Sequence, residues 1–318
     1  MSTADQPRAA SLDEIDRTLI RELIADGRAT YAKLAPAAGL SPAAVRTRVQ
    51  RLLDQRLIVV TGRVDPALHG LGVFAFAFLE VGDDVDQVAA RIAEIADVVF
   101  LAVGSGRFDL LVELRCPEND GLLAALDRLR GTQGVRRVQS ATVLHYDKQD
   151  WSGIGDREAR PQRRPAAADR TDIDDIDRRL LWALIADGRA SYASLASTAG
   201  LSQAAVRDRV IDLIESDVIT IEAHPDAEAM GIGGFAGVAI KASGPVAPII
   251  ETMVGAAETT LVARTLGRFD ITAEVWFDDY DHLAELLDRL RALPDTGTID
   301  TIPYLRIAKE EFGPPQRL

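Results

Sequence analysis

Two repeated segments place arginine and small polar residues where a helix would present them to a charged partner. LSPAAVRTRVQRL runs from residue 40 to 52, and LSQAAVRDRVIDL runs from residue 201 to 213. In each segment the apolar residues recur at helical spacing, so arginine and small residues occupy the other faces. Arginine binds phosphate oxygens and guanine edges, and small residues near a helix start allow close approach to DNA.

The candidate contact residues lie beside the apolar stripe formed by Val45, Val49 and Leu52. A plain three-helix bundle with a solvated basic face would show the same pattern, and it remains the structural alternative. The predicted DNA-contacting residues are Ser41, Ala43, Ala44, Arg46, Thr47, Arg48, Gln50 and Arg51 in the first segment, and Arg207 and Arg209 in the second.

A second repeated motif, GRFD, separates two apolar segments at 106–109 and again at 267–270. Glycine supplies backbone angles that other residues avoid, and an aspartate carboxylate can accept from turn amides or from the amino group of a ligand. The motif therefore predicts either a ligand-binding turn or a purely structural one.

Both motifs belong to an internal duplication. Val45 aligns with Val206, and Gly106 aligns with Gly267, in each case 161 positions later without a gap. Residues 15–58 and 176–219 share 27 identities in 44 positions, which indicates a common fold for the two copies. The segment between the halves is rich in proline, alanine and charge and has no apolar period, so it is predicted to be a flexible linker.

The elements that position the first motif are three short helices. Ser11 and Glu14 suggest a capping box for the first helix. Thr30 is the predicted N-cap of the second helix, which ends at Gly39, and Ser41 with Pro42 begins the third. A helix, a short glycine-containing turn and a second helix form the helix-turn-helix arrangement, whose second helix enters the major groove of DNA.

The remainder of each half changes to strand periodicity. We predict a strand over 73–81, a helix over 85–96, strands over 98–103 and 108–114, a helix over 122–130 and a strand over 135–146. This β-α-β-β-α-β order is the ferredoxin-like unit, whose sheet carries helices on one face and needs a partner to cover the other. The predicted fold class is α+β, with two winged-helix-like helix-turn-helix domains, each followed by a ferredoxin-like sensing domain.

These assignments divide the chain into seven parts. They are a disordered N-terminus (1–10), a first helix-turn-helix domain (11–60) with its sensing domain (61–150), a linker (151–171), a second helix-turn-helix domain (172–221) with its sensing domain (222–312), and a tail (313–318).

Composition excludes several classes of protein. With 318 residues, 47% of them hydrophobic and 27% charged, the chain can bury ordinary cores. The net charge of −13 argues against non-specific polyanion binding, so any DNA contact requires a local basic patch. The longest apolar run, 73–79, is shorter than the roughly 20 residues of a membrane helix. We expect a cytoplasmic protein without membrane contact, and we interpret the single cysteine, Cys116, as a small buried hydrophobe.

The combination of IDRTLIRELIADGRATYAKLA, GLSPAAVRTRVQRL and a downstream ferredoxin-like unit with GRFD at its central turn resembles the Lrp/AsnC family of bacterial transcription regulators. The resemblance covers nearly all of both halves. It implies a domain that binds double-stranded DNA sequence-specifically, followed by an oligomerising domain that senses an amino acid or a related small molecule. Because the family's effector sites lie near this turn, it assigns Gly106, Asp109, Gly267 and Asp270 as candidate effector-binding residues. A usual member corresponds to one half of this chain.

A tandem branch that resembles siroheme decarboxylases supplies the enzymatic alternative. Those relatives use a segment rich in histidine and tyrosine, whereas the four histidines here do not recur in the two halves: His69 aligns with Met230, and His145 with Arg306. Metal-binding Cys/His spacing, a nucleophile elbow and a phosphate loop are also absent from the sequence. We predict a non-enzymatic protein without catalytic residues, metal or cofactor. A co-regulator without DNA contact is the third alternative.

The two repeated segments that are predicted to contact DNA differ mainly in charge. From residue 41 to 56, four arginines accompany one aspartate, a balance of +3, whereas from 202 to 217 two arginines accompany four acids, a balance of −2. Carboxylates repel phosphate, so the first helix-turn-helix is predicted to dominate DNA binding. The second copy would bind DNA weakly or read a different base.

The two sensing domains differ in side-chain size. Phe74, Phe76 and Phe78 share one face of a strand in the first half, and the matching positions in the second half are Phe235, Gly237 and Ala239. Large residues opposite small ones predict that the two sheets pack on each other as an intramolecular pseudo-dimer. The resemblance implies assemblies of eight halves, and four of these chains would make a homotetramer.

Overall fold

The computed structural model describes residues 12–64, 72–151, 153–155, 173–226 and 230–311. The predicted disordered N-terminus, the C-terminal tail and most of the predicted linker lie outside these ranges. The linker's first described residues, Trp151 and Ile154, pack beside Ile232 and Trp276 of the second half.

The two halves repeat one order of elements, and the predicted α+β class is confirmed. The first half contains α1 (Glu14–Ala25), α2 (Tyr31–Ala38), α3 (Pro42–Asp54), β1 (Ile58–Val64), β2 (Val73–Val81), α4 (Val85–Ala93), β3 (Val98–Gly104), β4 (Leu110–Cys116), α5 (Asn119–Gly131) and β5 (Val135–Gln149). The second half contains α6 (Asp175–Ala186), α7 (Tyr192–Ala199), α8 (Gln203–Glu215), β6 (Ile219–Pro225), β7 (Gly234–Ala242), α9 (Ala247–Gly255), β8 (Thr259–Gly267), β9 (Ile271–Phe277), α10 (Tyr280–Arg291) and β10 (Thr296–Glu310).

The N-terminus of α1 is capped differently from the prediction. The predicted box between Ser11 and Glu14 is wrong, because the N-cap is Asp13. The amide of Asp16 donates to Asp13 Oδ1 at 2.8 Å, and the amide of Asp13 donates to Asp16 Oδ2 at 3.3 Å. An aspartate at both positions satisfies the same two amides as the usual Ser/Thr and Glu pair. Ser11 lies outside the described residues.

The other predicted caps of the first helix-turn-helix are confirmed. Thr30 caps α2, and Ser41 caps α3 with Pro42 in the first helical position. Gly39 ends α2 with a φ of 62°, a left-handed conformation that glycine adopts without steric strain. This turn joins α2 to α3, and the two helices pack together.

The two helix-turn-helix domains form one packed unit. Strands β1 and β6 pair antiparallel as a two-stranded ribbon, called the ribbon below, and both domains share one apolar core. Helix α1 packs against β6, and α6 packs against β1. Arg28 donates to the carbonyls of Gly188 and Ala190 at 2.8 and 3.0 Å, and Arg189 returns equivalent bonds to Gly27 and Ala29 at 2.6 and 3.3 Å.

The two ferredoxin-like sheets close into one eight-stranded antiparallel barrel. Its strand order is β10-β3-β4-β2-β5-β8-β9-β7, so each half contributes four neighbouring strands. The last strand of each half crosses to the other half, and the closing pairs are β5 with β8 and β10 with β3. Each sheet therefore completes the edge of the other.

The predicted pseudo-dimer packing is confirmed inside this barrel. Phe76 and Phe78 are buried there together with Ala239 and Phe269 from the second half. A Cβ added at Gly237 would lie 2.8 Å from Leu111 Cδ2, so the site opposite the phenylalanines has little space for a side chain. The helices cover the outer faces of the two sheets and complete two further cores.

Two lysines also connect the halves. Lys148 on β5 donates to the carbonyls of Val254 and Ala256 at the end of α9, at 3.2 and 2.8 Å. Lys309 on β10 donates to the carbonyls of Ala93 and Ile95 at the end of α4, at 2.9 and 3.5 Å. Each ammonium thus satisfies the C-terminus of a helix from the other half.

Two expectations from composition concern single features of the fold. Cys116 is buried at the end of β4 within an apolar core, as predicted. Among the described residues, none of the helices combines the length and the apolar character needed to cross a bilayer.

Candidate functional site

Helix α3 directs part of the predicted contact set outward. Ala43, Arg46, Thr47 and Gln50 are exposed, whereas Ala44 is half-buried. The Ser41 hydroxyl is used within the protein, because it accepts from the Ala44 amide at 3.3 Å. Arg46 forms no ion pair with a residue in the described part of the chain, so its guanidinium is available to a partner.

Arg48 and Arg51 lean toward α1 instead. Arg48 Nη1 donates to Asp13 Oδ2 at 2.6 Å and to Asp16 Oδ1 at 2.9 Å, and Arg51 pairs with Asp16 Oδ2. The Asp16 amide, followed by Arg48, holds the pKa of Asp13 below its ordinary value. These two arginines therefore hold the recognition helix against α1.

The second recognition helix, α8, keeps this arrangement with fewer positive charges. Arg209 Nη1 donates to Asp174 and Asp177 at 2.8 Å each, as its counterpart Arg48 does in the first half. Asp212 occupies the position of Arg51 and is exposed. In the first half Asp13 and Asp16 thus face two arginines, whereas in the second half Asp174 and Asp177 face one.

The outward face of α8 also differs from that of α3. Arg207 is exposed like Arg46 and forms no ion pair within the described ranges, but Asp208 replaces Thr47 beside it. Of the five predicted contact arginines, the structure leaves Arg46 and Arg207 outward and engages Arg48, Arg51 and Arg209 in ion pairs.

The GRFD turns serve as structural connections. The Val81 amide donates to Asp109 Oδ2 at 2.7 Å, and the Ala242 amide donates to Asp270 Oδ2 at 2.9 Å. Lys241 also pairs with Asp270 at 2.8 Å. Each carboxylate therefore holds the end of its domain's first strand, and its role toward an effector stays a prediction.

Each GRFD turn contacts the last strand of the other half, which is β10 for the first turn and β5 for the second. Gly106 has a φ of 113°, and a Cβ there would lie 3.3 Å from the Thr301 carbonyl oxygen. Gly267 has a φ of 138°, and a Cβ there would lie 2.6 Å from the Ser140 carbonyl oxygen. The two glycines thus combine a backbone conformation that favours glycine with close contact between the halves.

The ribbon end of the barrel contains a cavity that the sequence analysis did not anticipate, called the end cavity below. The space not filled by atoms there, together with the open solvent at the cavity mouth, amounts to about 890 Å³. Its apolar wall includes Phe76, Phe100, Leu111 and Leu261. Its polar and charged lining consists of Arg63, Glu113, Arg115, Gln149, Trp151, His224, Thr272, Glu274, Tyr304, Glu310 and Glu311.

Two counterpart carboxylates, Glu113 and Glu274, belong to this lining. Arg115 Nε donates to Glu113 at 2.9 Å, and the Tyr146 hydroxyl donates to Glu113 at 3.3 Å. Removal from water, reinforced by Glu113, raises the pKa of Tyr146 well above its ordinary value. The phenol therefore stays protonated and acts as a donor.

Within the described part of the chain, the donors to Glu274 are neutral. It accepts from Thr260 Oγ1 at 2.8 Å, from Trp151 Nε1 at 3.3 Å and from the Tyr304 hydroxyl at 3.4 Å. Removal from water raises its pKa despite these bonds. Glu310 is exposed to solvent on one side, and partial removal from water together with repulsion from Glu274 raises its pKa to about 7.

The ribbon forms one side of the end cavity. Arg63 on β1 donates to Glu222 on β6 at 3.2 Å and to Gln149 on β5 at 3.5 Å. The Trp151 and His224 rings meet edge-on with centroids 5.9 Å apart. The cavity lining therefore includes residues of the strands that connect the barrel to both recognition helices.

A sequence signal for this cavity existed. Glu113 and Glu274 are counterparts at the 161-residue offset, and each interrupts an apolar strand, LLVELRC or ITAEVWF. A carboxylate retained in both copies at the same buried strand position indicates a specific role. Within the described ranges, however, the structure contains no group of three or more metal-ligating side chains.

Comparison with known proteins finds the same two domain families in both halves. The AsnC-type helix-turn-helix domain matches residues 12–53 and 173–214, and the Lrp/AsnC ligand binding domain matches residues 73–150 and 235–314.

Individual relatives align with one half at a time. The HTH-type transcriptional regulator LrpA of Mycobacterium tuberculosis is 36% identical over 138 residues, covering 42% of this chain and 91% of LrpA. The HTH-type transcriptional regulator FL11 of Pyrococcus horikoshii is 27% identical over 140 residues, covering 43% of this chain and 93% of FL11.

A solved structure shows the double-length arrangement. The siroheme decarboxylase NirDL aligns over 93% of each chain with a TM-score of 0.62 and 12% identity, a likeness that concerns the fold alone. With matches to both family domains in each half, this chain belongs to the Lrp/AsnC family of transcriptional regulators, as a tandem form with two copies of each domain.

Proposed function

We propose that the protein is a sequence-specific DNA-binding regulator whose affinity depends mainly on α3. The observation that carries this proposal is the difference between the two outward faces. Helix α3 presents Arg46 beside the neutral Thr47, whereas α8 presents Arg207 beside the acidic Asp208. A carboxylate next to the approaching phosphate lowers the attraction that arginine provides.

The ion pairs revise which arginines should contact DNA. Arg48 and Arg51 face Asp13 and Asp16, so their first effect is on the attachment of α3 to α1. Arg46 is then the leading candidate for direct contact, and Arg51 contributes if it exchanges Asp16 for a phosphate.

A matched pair of substitutions tests the proposal. Arg46→Ala and Arg207→Ala remove the same side chain from counterpart positions. Binding to a duplex from upstream of the protein's own gene is followed by fluorescence anisotropy across a salt titration. If Arg46 contacts a phosphate, Arg46→Ala should lower the slope of log binding constant against log salt concentration by about one unit. If Arg46 contacts a base, Arg46→Ala should lose about 1–3 kcal/mol of binding free energy and relax specificity.

The Arg207→Ala protein should bind nearly as the parent does, and circular dichroism confirms that both variants fold. Equal losses from the two substitutions would refute the asymmetry and make α8 an active reader. The converse change, Asp208→Thr with Asp212→Arg, should increase affinity because it restores the charge pattern of α3.

The partners follow from the same proposal. Double-stranded DNA is the macromolecular partner, and a small molecule, of which an amino acid is one candidate, is the effector. We also propose a homotetramer, which sedimentation equilibrium would distinguish from a monomer or dimer.

The full-length fold likeness to NirDL supports a second candidate, a decarboxylase acting on a tetrapyrrole. Two measurements on one purified preparation, an absorption spectrum and a DNA gel shift, distinguish the two functions. A purified protein with a porphyrin-like absorption band that does not bind DNA would favour the enzyme, whereas a colourless protein that shifts DNA would favour the regulator. A colourless protein that does not shift DNA would favour a co-regulator.

A further inference from the structure

We propose that the end cavity binds an organic cation, namely a primary amine with an apolar body, and that this ligand acts on DNA binding through the ribbon. The site itself does not depend on the proposed regulatory function, but its effect on DNA does.

The charges of the lining favour a cation. Arg115 is neutralised by Glu113, and Arg63 is paired with Glu222. Glu274 and Glu310 have no cationic partner among the described residues, so in their ionised forms they give the cavity an excess of negative charge. An ammonium group near both carboxylates would supply the missing charge and form charge-assisted hydrogen bonds.

The remaining lining defines the rest of the ligand. Thr272 is only 1% exposed, and its Oγ1 has no hydrogen-bond partner among the described residues, so the lining retains an unused polar group. Phe100, Leu111 and Leu261 provide an apolar surface opposite the carboxylates. Trp151 and Tyr304 add aromatic faces that can attract a cation.

The position of the cavity connects it to DNA recognition. Its lining includes Arg63 from β1 and His224 from β6. Strand β1 begins at Ile58, four residues after the end of α3 at Asp54, and β6 has the same relation to α8. An occupant that shifts the ribbon against the barrel would therefore change how the two recognition helices are held.

The binding test uses probes that differ in one group. Isothermal titration calorimetry on the full chain at about pH 8, above the pKa of Glu310, compares 2-phenylethylamine and n-hexylamine with 2-phenylethanol and 3-phenylpropanoate. We expect both amines to bind with a Kd below about 1 mM and the alcohol and the carboxylate to bind at least tenfold more weakly, consistent with small ligands that use one charged contact.

Variants locate the site. Glu274→Gln and, independently, Glu310→Gln should each weaken amine binding by about tenfold or more, because a charge-assisted bond becomes a neutral one. Glu80→Gln is the matched control, since Glu80 forms an ion pair with Arg137 outside the cavity lining and its loss changes the net charge equally. Thermal unfolding confirms that each variant is folded.

The outcomes separate the two parts of the proposal. The cation site would be overturned by any of four results. Two concern the probes that lack an amine: 2-phenylethanol binds as well as the amines, or 3-phenylpropanoate binds more tightly. The other two are that the amines do not bind, or that both cavity variants keep the parent's amine affinity. Amine binding that leaves DNA affinity unchanged would overturn only the coupling through the ribbon. DNA binding without amine binding would leave the regulatory function standing and remove this site.

Discussion

The interior of the barrel allows a direct test of whether the two halves share one core. Phe78 is fully buried, with its ring centroid 5.3 Å from Phe108 and 4.8 Å from Phe269 of the second half. Its counterpart, Ala239, lies in the same core. Phe78→Ala should therefore lower the free energy of unfolding by about 3–5 kcal/mol. Ala239→Phe alone should overfill the core and lower it by about 1–3 kcal/mol.

The double variant exchanges the two side chains across the pseudo-symmetry axis. Independent effects would sum to about 4–8 kcal/mol, but a ring at position 239 would enter the space vacated at position 78. We expect at least about 2 kcal/mol of this loss to be recovered. The control is Phe78→Ala with Ala236→Phe, which has the same composition but places the ring on the helix-covered face of β7. Its effects should add.

Urea unfolding followed by circular dichroism and tryptophan fluorescence supplies the four free energies of each cycle. Equal slopes against urea concentration would show that the variants unfold by the same transition. A double variant that loses the full sum would refute the shared interior, because the two positions would then behave as separate cores.

Three further predictions concern the crossing lysines, the end cavity and the turns. Lys148→Met and Lys309→Met should each lower the free energy of unfolding by about 1–3 kcal/mol, because carbonyls at a helix end lose their hydrogen-bond donor. Urea titrations measure this loss. Unchanged stability in both variants would contradict the helix-capping role. The pKa of Glu310 is raised to about 7, so between its ordinary value of 4.5 and about pH 7 the folded protein holds a proton that the unfolded chain has released. Stability should therefore fall slightly as pH rises through this window, since solvent screens this exposed side chain, and less steeply in Glu310→Gln; the thermal midpoint against pH measures the effect. Asp109→Asn or Asp270→Asn should abolish the effector-dependent change in DNA affinity and leave effector-free affinity intact, whereas loss of folding would favour a structural turn.

Local chemistry made most of the first domain predictable from sequence. The helix-turn-helix elements follow from apolar spacing and from caps such as Thr30, Gly39 and Ser41, which act within a few residues. The capping error at α1 came from expecting Ser/Thr with Glu, although Asp13 with Asp16 satisfies the same amides. The β-α-β-β-α-β order of elements along each sensing domain was predictable for the same local reason.

Residues that act across the duplication were not predictable from local patterns. The pairing of β5 with β8 and the long-range contacts of Arg28 and Lys148 depend on how two distant segments meet. Arg48 and Arg51 show this limit at the candidate DNA interface. Their spacing places them on a helix face, but whether they face DNA or α1 depends on Asp13 and Asp16, over thirty positions earlier.

The crossed strands and the ribbon have a consequence for how the protein responds to its own abundance. Two separate chains must meet before they can act as a pair, so the paired fraction of a homodimer falls on dilution. Here the two halves belong to one polypeptide, and their effective local concentration is set by the connecting chain rather than by expression level. Formation of one barrel and one ribbon is thus a unimolecular step. Occupancy of a DNA site that needs a single chain should therefore rise with the first power of protein concentration, even where copies are few.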